Sequence, residues 1–447
     1  MQGLCFYIET FGCQMNEQDS LRAGYHLEQA GCRRVSSPAE ADILIVNTCS
    51  IRRKAEEKAY SLLGRFRALK RKRPGVVVAV GGCVAQQEGQ GLLERMPQVD
   101  FVFGPHHVSE VDRLVNRYRV DGERFAVVSQ IRDSVEDLEC PGISDGDGLK
   151  AYVTIMEGCD NFCSYCVVPF VRGRERSRPY RSLLEEARRL TEDGVKELTL
   201  LGQNVNAYSA PDRKGFRFPD LLTALSVLPG LQRLRFTTSH PKDLSEALID
   251  CFGSLPPLCE HIHLPLQSGS DSVLAAMNRG YTRSEYQEKI SALRDRVPDV
   301  AVTSDMIVGF PSEGVEDFED TLQAMRSVRF DGLYSFKFSP RPSTRAAALE
   351  DTVREEEKLR RLHVLQDLQK QISLEKNKAL EGETLEVLVE GVSRDGGQWM
   401  GRTRTHRIVN FMGPEGLAGR LVPVTIEEGC RNSLRGRCFL TRHDTGS

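Results

Sequence analysis

The chain has 447 residues and a formal net charge of −3, with 40% hydrophobic and 28% charged residues. This is the make-up of an ordinary soluble protein of two to four domains, and no apolar run reaches the length that a membrane span needs. Thirteen cysteines, an odd number in so long a chain, argue against a secreted disulfide framework and for metal or redox use.

The first 145 residues alternate strands with helices. Leu4–Ile8 reads as a strand at once, which leaves no room for a signal or transit peptide and favours a cytoplasmic protein. A helix is expected over Gln18–Ala30, with Asp19 or Ser20 near its cap. Asp42–Val46 reads as a buried strand, Arg53–Lys72 as a helix closed by Pro74-Gly75, and Val76–Val80 as another buried strand. Continuous β-branched runs between helices argue for a parallel sheet. The polar stretch 131–148 reads as a linker. Strands resume at Ala151–Met156, Glu197–Leu201, Leu231–Thr237, His261–Leu266, Ala301–Val308 and Leu333–Phe338. Helical patterns fall between them at Ser182–Glu192, Lys242–Phe252, Arg283–Arg296 and Val315–Val328. Six such β/α units predict a partial or complete TIM-like α/β barrel. Asp351–Leu380 reads as a bracing helix with the stripe Leu359, Leu362, Leu365, Leu368 and Ile372. Short strands at Leu385–Val389, His406–Phe411 and Leu421–Ile426 then predict a small β-barrel. The expected domains are 1–145, 146–380 and 381–443.

The chemistry lies in the cysteines. Cys159, Cys163 and Cys166 form Cys-x3-Cys-x2-Cys, with Tyr165 before the last. The run follows the first barrel strand directly, and the C-terminal strand ends are where α/β barrels place active sites. Three thiolates from one loop fit a [4Fe–4S] cluster with one iron left open, whereas a structural zinc closes four positions. Zinc and chance spacing are the alternatives. Cys13, Cys49 and Cys83 each come just past a strand of the first sheet, separated by 35 and 33 residues. In a parallel sheet those ends lie together, so three distant cysteines can converge on a second open site. The alternative is that they are small buried hydrophobes. Cys5, Cys32, Cys140, Cys251, Cys259, Cys430 and Cys438 show no such pattern.

Arginines cluster as well. Arg172, Arg174 and Arg176 open a run just beyond the second triad, close enough to the mouth to meet a phosphate backbone or an anionic substrate. A solvated face is the bland alternative. Ten basic residues against two acidic ones between Arg52 and Arg73 fit a surface helix or an RNA contact equally. Arg402, Arg404 and Arg407 stand in a C-terminal barrel that has arginine but no lysine. That suits RNA binding by forked phosphate contacts or, again, a solvated surface.

The Cys159–Cys166 run resembles that of the radical S-adenosylmethionine enzymes. Phe11-Gly12-Cys13-Gln14-Met15-Asn16, Asn47-Thr48-Cys49 and Gly81-Gly82-Cys83 resemble the N-terminal domain of the methylthiotransferases, and the last barrel resembles their TRAM domain. The stretches Glu157–Glu175 and Leu201–Tyr208 are similar to the tRNA-modifying members that act on N6-isopentenyl(dimethylallyl)adenosine. The resemblance spans essentially the whole chain. It implies an N-terminal parallel-sheet α/β domain, a radical-SAM barrel and a TRAM barrel. It also implies two [4Fe–4S] clusters, at Cys159, Cys163 and Cys166 and at Cys13, Cys49 and Cys83, with two molecules of S-adenosylmethionine per turnover. The reaction implied is addition of a methylthio group to C2 of the adenine beside the anticodon of tRNA. That C–H bond is strong and not acidic, so a radical rather than a side-chain base must activate it. Tyr165, Gln203, Asn204, Ser239 and Gln267 sit where such enzymes contact the cofactor, although each is equally able to be a structural polar group. Implied partners are the anticodon stem-loop, an electron donor such as flavodoxin or ferredoxin, and a source of sulfur. The resemblance suggests a monomer. Sister methylthiotransferases acting on threonylcarbamoyl-adenosine or on a ribosomal-protein aspartate are the near alternatives. A non-catalytic iron–sulfur or zinc RNA-binding protein is the distant one.

Overall fold

Apolar runs without alternation build the first sheet, because its central strands are covered on both faces. The computed structural model describes residues 1–50, 53–128, 148–393 and 396–439. The expected linker, Cys140 and residues 440–443 of the last domain lie outside them, apart from Gly148. Strands β1 (Cys5–Phe11), β2 (Arg33–Arg34), β3 (Ile43–Thr48), β4 (Val77–Gly82), β5 (Phe101–Phe103) and β6 (Phe125–Val127) pair in the order β2-β1-β3-β4-β5-β6. All the pairs are parallel. Every residue of β3 and β4 is buried. One face packs Leu44, Val46, Val78 and Val80 against Leu62, Leu63 and Phe66 of helix α2 (Arg53–Lys72). The other packs Ile43, Ile45, Val77 and Ala79 against Ala23 and Leu27 of helix α1 (Gln14–Gln29). Helix α1 begins a turn earlier than its sequence suggested. Cys13 takes the cap position with extended backbone, and Asp19 and Ser20, expected near the cap, are buried inside the helix. The Asp19 carboxylate cannot cap because an arginine of the next domain holds it.

The central domain runs through β7 (Lys150–Thr154), a short antiparallel pair β8 (Met156–Glu157) and β9 (Arg176–Ser177), then β10 (Glu197–Leu201), β11 (Arg233–Phe236), β12 (His261–His263), β13 (Ala301–Val308) and β14 (Gly332–Lys337). Strands β7, β10 and β11 form one parallel sheet and β12, β13 and β14 another, linked by a bridge between Leu234 and Leu258. The result is a six-stranded partial barrel. Strand β12 stops before Pro265, which has no N–H to give the ladder. Helices Arg283–Arg296 and Val315–Val328 match expectation. The one expected from Lys242 starts at Glu246, because Pro241–Asp243 forms a separate tight turn. The bracing helix, Glu355–Lys378, buries Leu365 and Ile372 and half-buries Leu362 and Leu368 on the barrel core. Leu359, one turn too early, stays 43% exposed.

The last domain is a closed barrel of β15 (Thr384–Val392), β16 (Trp399–Thr403), β17 (Ile408–Met412), β18 (Leu421–Gly429) and β19 (Leu434–Arg437). Sequence reading missed β16 and β19. Their inward positions include the glycines Gly401 and Gly436, which weaken an apolar alternation. This barrel sits under the N-terminal ends of the central strands. Lys196 donates to the Gly419 carbonyl at 2.7 Å, Arg233 to Arg402 at 2.7 Å, and Arg235 to Thr403 and Arg404 at 2.8 Å each. The opposite, C-terminal strand ends therefore face the first domain.

Candidate active site

Each upstream cysteine is set by a strand end. Cys13 lies between β1 and α1, Cys49 directly follows β3, and Cys83 opens the helix Cys83–Glu88 after β4. Gly82 precedes it at φ 95°, and a Cβ there would stand 2.4 Å from both Asn47 Oδ1 and the Thr48 carbonyl. Asn16 and Asn47, both buried, tie the loops together. Asn16 donates to Asn47 Oδ1 at 3.2 Å and to the Thr48 carbonyl at 3.2 Å, and Asn47 donates to the Asn16 carbonyl at 2.8 Å. The three thiols act on one another pairwise: Cys49 hydrogen-bonds Cys13, and the charge of Cys13 acts on Cys83. A hydrogen bond from Cys49 is the main cause that brings Cys13 down to about 6, and the charge of Arg172 helps against burial. A thiol at the start of a helix is further favoured as thiolate by the helix dipole. Burial pushes Cys83 up, partly countered by Arg172.

The second triad hangs on the loop after β8. Gly158, at φ 80°, donates to Gln203 Oε1 at 2.5 Å. A Cβ on Gly158 would lie 2.0 Å from the Arg174 carbonyl, so only glycine fits. Asn161 donates to Cys159 Sγ at 3.4 Å, and Arg279 to Cys163 Sγ at 3.2 Å. Buried Arg279 also reaches Tyr165 Oη at 3.4 Å and the Pro265 carbonyl at 2.8 Å, which fastens the loop across the barrel. Burial raises Cys159, and burial reinforced by Cys163 pushes Cys166 up to about 12. As thiols these groups suit the interior; as thiolates they need a cation cluster. Among the described residues, no three or more His, Cys, Asp or Glu side chains are arranged to hold a single metal ion. A cubane spreads its thiolates over separate irons, so its ligands need not crowd one point.

The two triads share a buried ionic network that sequence reading did not foresee. Arg172 donates to Asp19 of α1 at 2.5 Å and to Glu157 at 2.7 Å. All three side chains are at most 3% exposed. Arg176 adds a bond to Glu157 at 2.8 Å and one to His106 Nδ1 at 3.1 Å. Burial opposes the Arg172 charge, but Asp19, Cys83, Glu157 and Cys13 outweigh it and hold the guanidinium firmly protonated. Arg172 thus joins the loop of the second triad to the helix that Cys13 caps. Cys83 packs on Val167 and Val171 just before it.

Above the barrel, consecutive strand ends carry buried polar atoms without protein partners. They are Thr154 Oγ1, Asn204 Oδ1, Ser239 Oγ, His240 Nε2 and Gln267 Oε1. Asn204 uses its Nδ2 on Asp243 at 2.8 Å, which aims Oδ1 elsewhere. Orphaned buried groups are costly and rare, so a ring of them fits a polar ligand such as the methionine end and ribose of S-adenosylmethionine. Asn204, Ser239 and Gln267 of the expected cofactor contacts belong to it. Gln203 instead props Gly158, and Tyr165 lies half-buried beside Arg279.

Most of the expected RNA-gripping arginines are engaged inside the protein. Arg172 is buried in the network above and cannot reach a solvent-borne phosphate. Arg176, with an 8% exposed side chain, is held by Glu157 and His106. In the last barrel, Arg402 pairs with Glu390 at 3.0 Å, Arg404 with Glu260 at 2.8 Å, and Arg407 with Asp331. The latter two bonds fasten the β-barrel to the central domain. Arg174 alone stays open, 73% exposed, paired with Asp160 and lying over the Phe162 ring.

Residues 5–104 match the family model described as Uncharacterized protein family UPF0004, 153–325 the Radical SAM superfamily, and 378–439 the TRAM domain. The chain is 50% identical over 430 residues to a tRNA-2-methylthio-N(6)-dimethylallyladenosine synthase of Geotalea uraniireducens, covering 96% of this chain and 98% of that one. A protein of the same name from Geobacter metallireducens is 51% identical, covering 96% and 97%. The chain belongs to the tRNA-2-methylthio-N(6)-dimethylallyladenosine synthase family. Membership of this radical S-adenosylmethionine family brings S-adenosylmethionine and a [4Fe–4S] cluster as cofactors. Among solved structures, the radical S-adenosylmethionine methyltransferase TsrM from Kitasatospora setae superposes with a TM-score of 0.57 at 14% identity, covering 77% of this chain and 75% of that one. The cobalamin-dependent radical enzyme OxsB superposes at 0.52 and 12%, covering 82% and 56%. These likenesses speak for the fold alone. Among the described residues no helix is long and apolar enough to cross a membrane.

Proposed function

We propose that the chain adds a methylthio group to C2 of N6-dimethylallyladenosine in tRNA, using two iron–sulfur clusters in adjoining domains. Cys159, Cys163 and Cys166 would hold the radical-generating cluster, and Cys13, Cys49 and Cys83 a second one that carries the sulfur. When bound, the first supplies the electron that makes S-adenosylmethionine a source of a radical strong enough for a non-acidic C–H bond. The residues around it do the rest. Gly158 and Gln203 fix the loop, and Asn204, Ser239 and Gln267 offer the unpaired acceptors and donor that orient the cofactor. Arg279 and Arg172 hold the two loops in place. The observation that carries the reading is the upstream triad, Cys13, Cys49 and Cys83, at the strand ends of the first sheet. A radical centre alone names no acceptor, whereas a second open cysteine site, joined to it by a buried arginine, gives the sulfur a place to wait. The domain limits 1–145, 146–380 and 381–443 accompany this reading, as do a flavodoxin- or ferredoxin-type reductant, a separate sulfur source, a monomeric state and a cytoplasmic location.

Nucleosides from tRNA of a deletion strain test the substrate. Loss of 2-methylthio-N6-dimethylallyladenosine, with its unthiolated precursor accumulating, is expected. Persistence of the methylthio nucleoside without this protein would refute the reading.

A further inference from the structure

A molecule of net charge −3 does not attract a polyanion as a whole, so a surface that binds RNA must concentrate cations locally. The last barrel supplies fewer than its composition suggests, since Arg402, Arg404 and Arg407 are paired with Glu390, Glu260 and Asp331. Helix α2 is different. Its inward face, Ala59, Leu62, Leu63 and Phe66, is buried in the first domain. On its outward face Lys54, Lys58, Arg65 and Lys72 recur at intervals of four, seven and seven, which is one straight stripe on an α-helix. All four are exposed, as is Arg71 at the end. Among the described residues none of these five forms a hydrogen bond or ion pair. The helix acids are engaged elsewhere: Glu56 faces Arg341 of the central domain at 3.6 Å, and exposed Glu57 also has a partner. By contrast, Lys70 and Arg73 on the flank pair with Asp100 and Asp42.

The position matters as much as the charge. Helix α2 starts four residues after Cys49, and its first turn is tied by Glu56 to Arg341 in the loop after β14. The stripe therefore begins at the joint between the two cysteine-bearing domains. It runs outward for up to about 30 Å, the length of a 20-residue helix. We infer that this stripe is the rail on which the phosphate backbone of the tRNA stem lies while the loop base enters between the domains. A regular row of unpaired cations on a rigid helix fits an extended polyanion. An acidic protein reductant, whose carboxylates form a patch, would not need a row of this length. The inference rests on RNA being the substrate, as proposed above.

The test is binding of N6-dimethylallyladenosine-containing tRNA, by fluorescence anisotropy across 50–200 mM salt, to the whole protein. Compared are the wild type, a Lys54→Gln/Lys58→Gln/Arg65→Gln/Lys72→Gln variant, and an Arg360→Gln/Lys370→Gln control on the bracing helix. Glutamine is a good helix former, so α2 persists, and circular dichroism confirms it. Four lost phosphate contacts lower the salt slope by about 3.6. The fourfold rise in salt then costs the wild type roughly 10²-fold more affinity than the variant. The control keeps the wild-type slope, and a variant with lysine or arginine exchanged for one another at the four positions keeps it too. Unchanged affinity and slope in the glutamine variant would overturn the inference. If that variant instead loses reduction by flavodoxin but not by dithionite, the stripe belongs to the reductant and the inference falls. If the wild type itself binds no tRNA, the substrate reading falls first and takes the rail with it.

Discussion

Replacing Arg172 by glutamine isolates the contact that joins the two cysteine sites. The guanidinium bridges Asp19 at 2.5 Å and Glu157 at 2.7 Å, and all three groups are almost wholly buried. Removing one partner of a buried ion pair costs about 3–5 kcal/mol, since the other charge is left desolvated. Two features place Arg172→Gln near the lower end. Glu157 keeps Arg176 at 2.8 Å, and Asp19 keeps Arg22 at 3.5 Å. The expected loss is about 3 kcal/mol, more than a hundredfold in the folding equilibrium. Urea unfolding of the metal-free protein measures it. Adding Asp19→Asn to the variant removes the stranded charge and restores part of the loss, so the two changes are non-additive. The same substitution raises the Cys13 pKa from about 6, because the Arg172 charge helps lower it. The pH profile of thiol alkylation in the metal-free protein reads that shift. A stability loss below about 1 kcal/mol, with an unmoved Cys13 profile, would refute the network.

Three further outcomes follow from the same geometry. Arg404→Ala removes bonds to Glu260 and to the Pro256 and Leu258 carbonyls. It should lower the free energy of unfolding by about 2 kcal/mol yet leave the salt slope of tRNA binding unchanged; a lost slope would make Arg404 an RNA contact. Burial holds buried His106 at about 4 and His240 at about 2, below the usual 6.5 of an unfolded chain. Their neutral form is fully compatible with the fold above pH 6.5, and stability falls as pH drops, because the unfolded chain takes up protons first. By pH 5 each costs about 2 kcal/mol, and His106→Gln should remove its share of the slope in urea titrations at pH 7.5 and pH 5. Gly158→Ala forces a Cβ to 2.0 Å from the Arg174 carbonyl. Reconstitution of this variant should leave the Cys159 site without iron while the Cys13 site still fills, and normal iron at both would show the turn to be tolerant.

Much of the architecture was legible, for a definite reason. Buried parallel strands such as Ile43–Thr48 write themselves as unbroken apolar runs, and the cysteines fall one β/α unit apart at their ends. Period and spacing were therefore enough to single out both triads as candidates. What stayed hidden was the fate of charge. Arg172 and Arg174 look alike in sequence, two residues apart, yet one is buried between carboxylates of two domains and the other is 73% exposed. Only the tertiary partner decides, and Asp19, 153 positions away, carries no local mark beyond sitting inside a helix. The same holds for Arg402, Arg404 and Arg407, whose partners lie on other elements. Arg279 had no signal at all, because its role is a contact with Cys163 across the barrel. Strands β16 and β19 were missed because inward glycines replace the apolar half of their alternation.

The most direct test of the two-site account is iron and acid-labile sulfide in anaerobically reconstituted protein, with Mössbauer spectra to identify the cluster type. The wild type should hold about eight irons and eight sulfides as two [4Fe–4S] clusters. Alanine at Cys13, Cys49 and Cys83, or at Cys159, Cys163 and Cys166, should leave about four of each. Only the first variant should still form 5′-deoxyadenosine from S-adenosylmethionine. Four irons in the wild type, zinc at either site, or equal behaviour of the two triple variants would contradict the division between a radical site and a sulfur site.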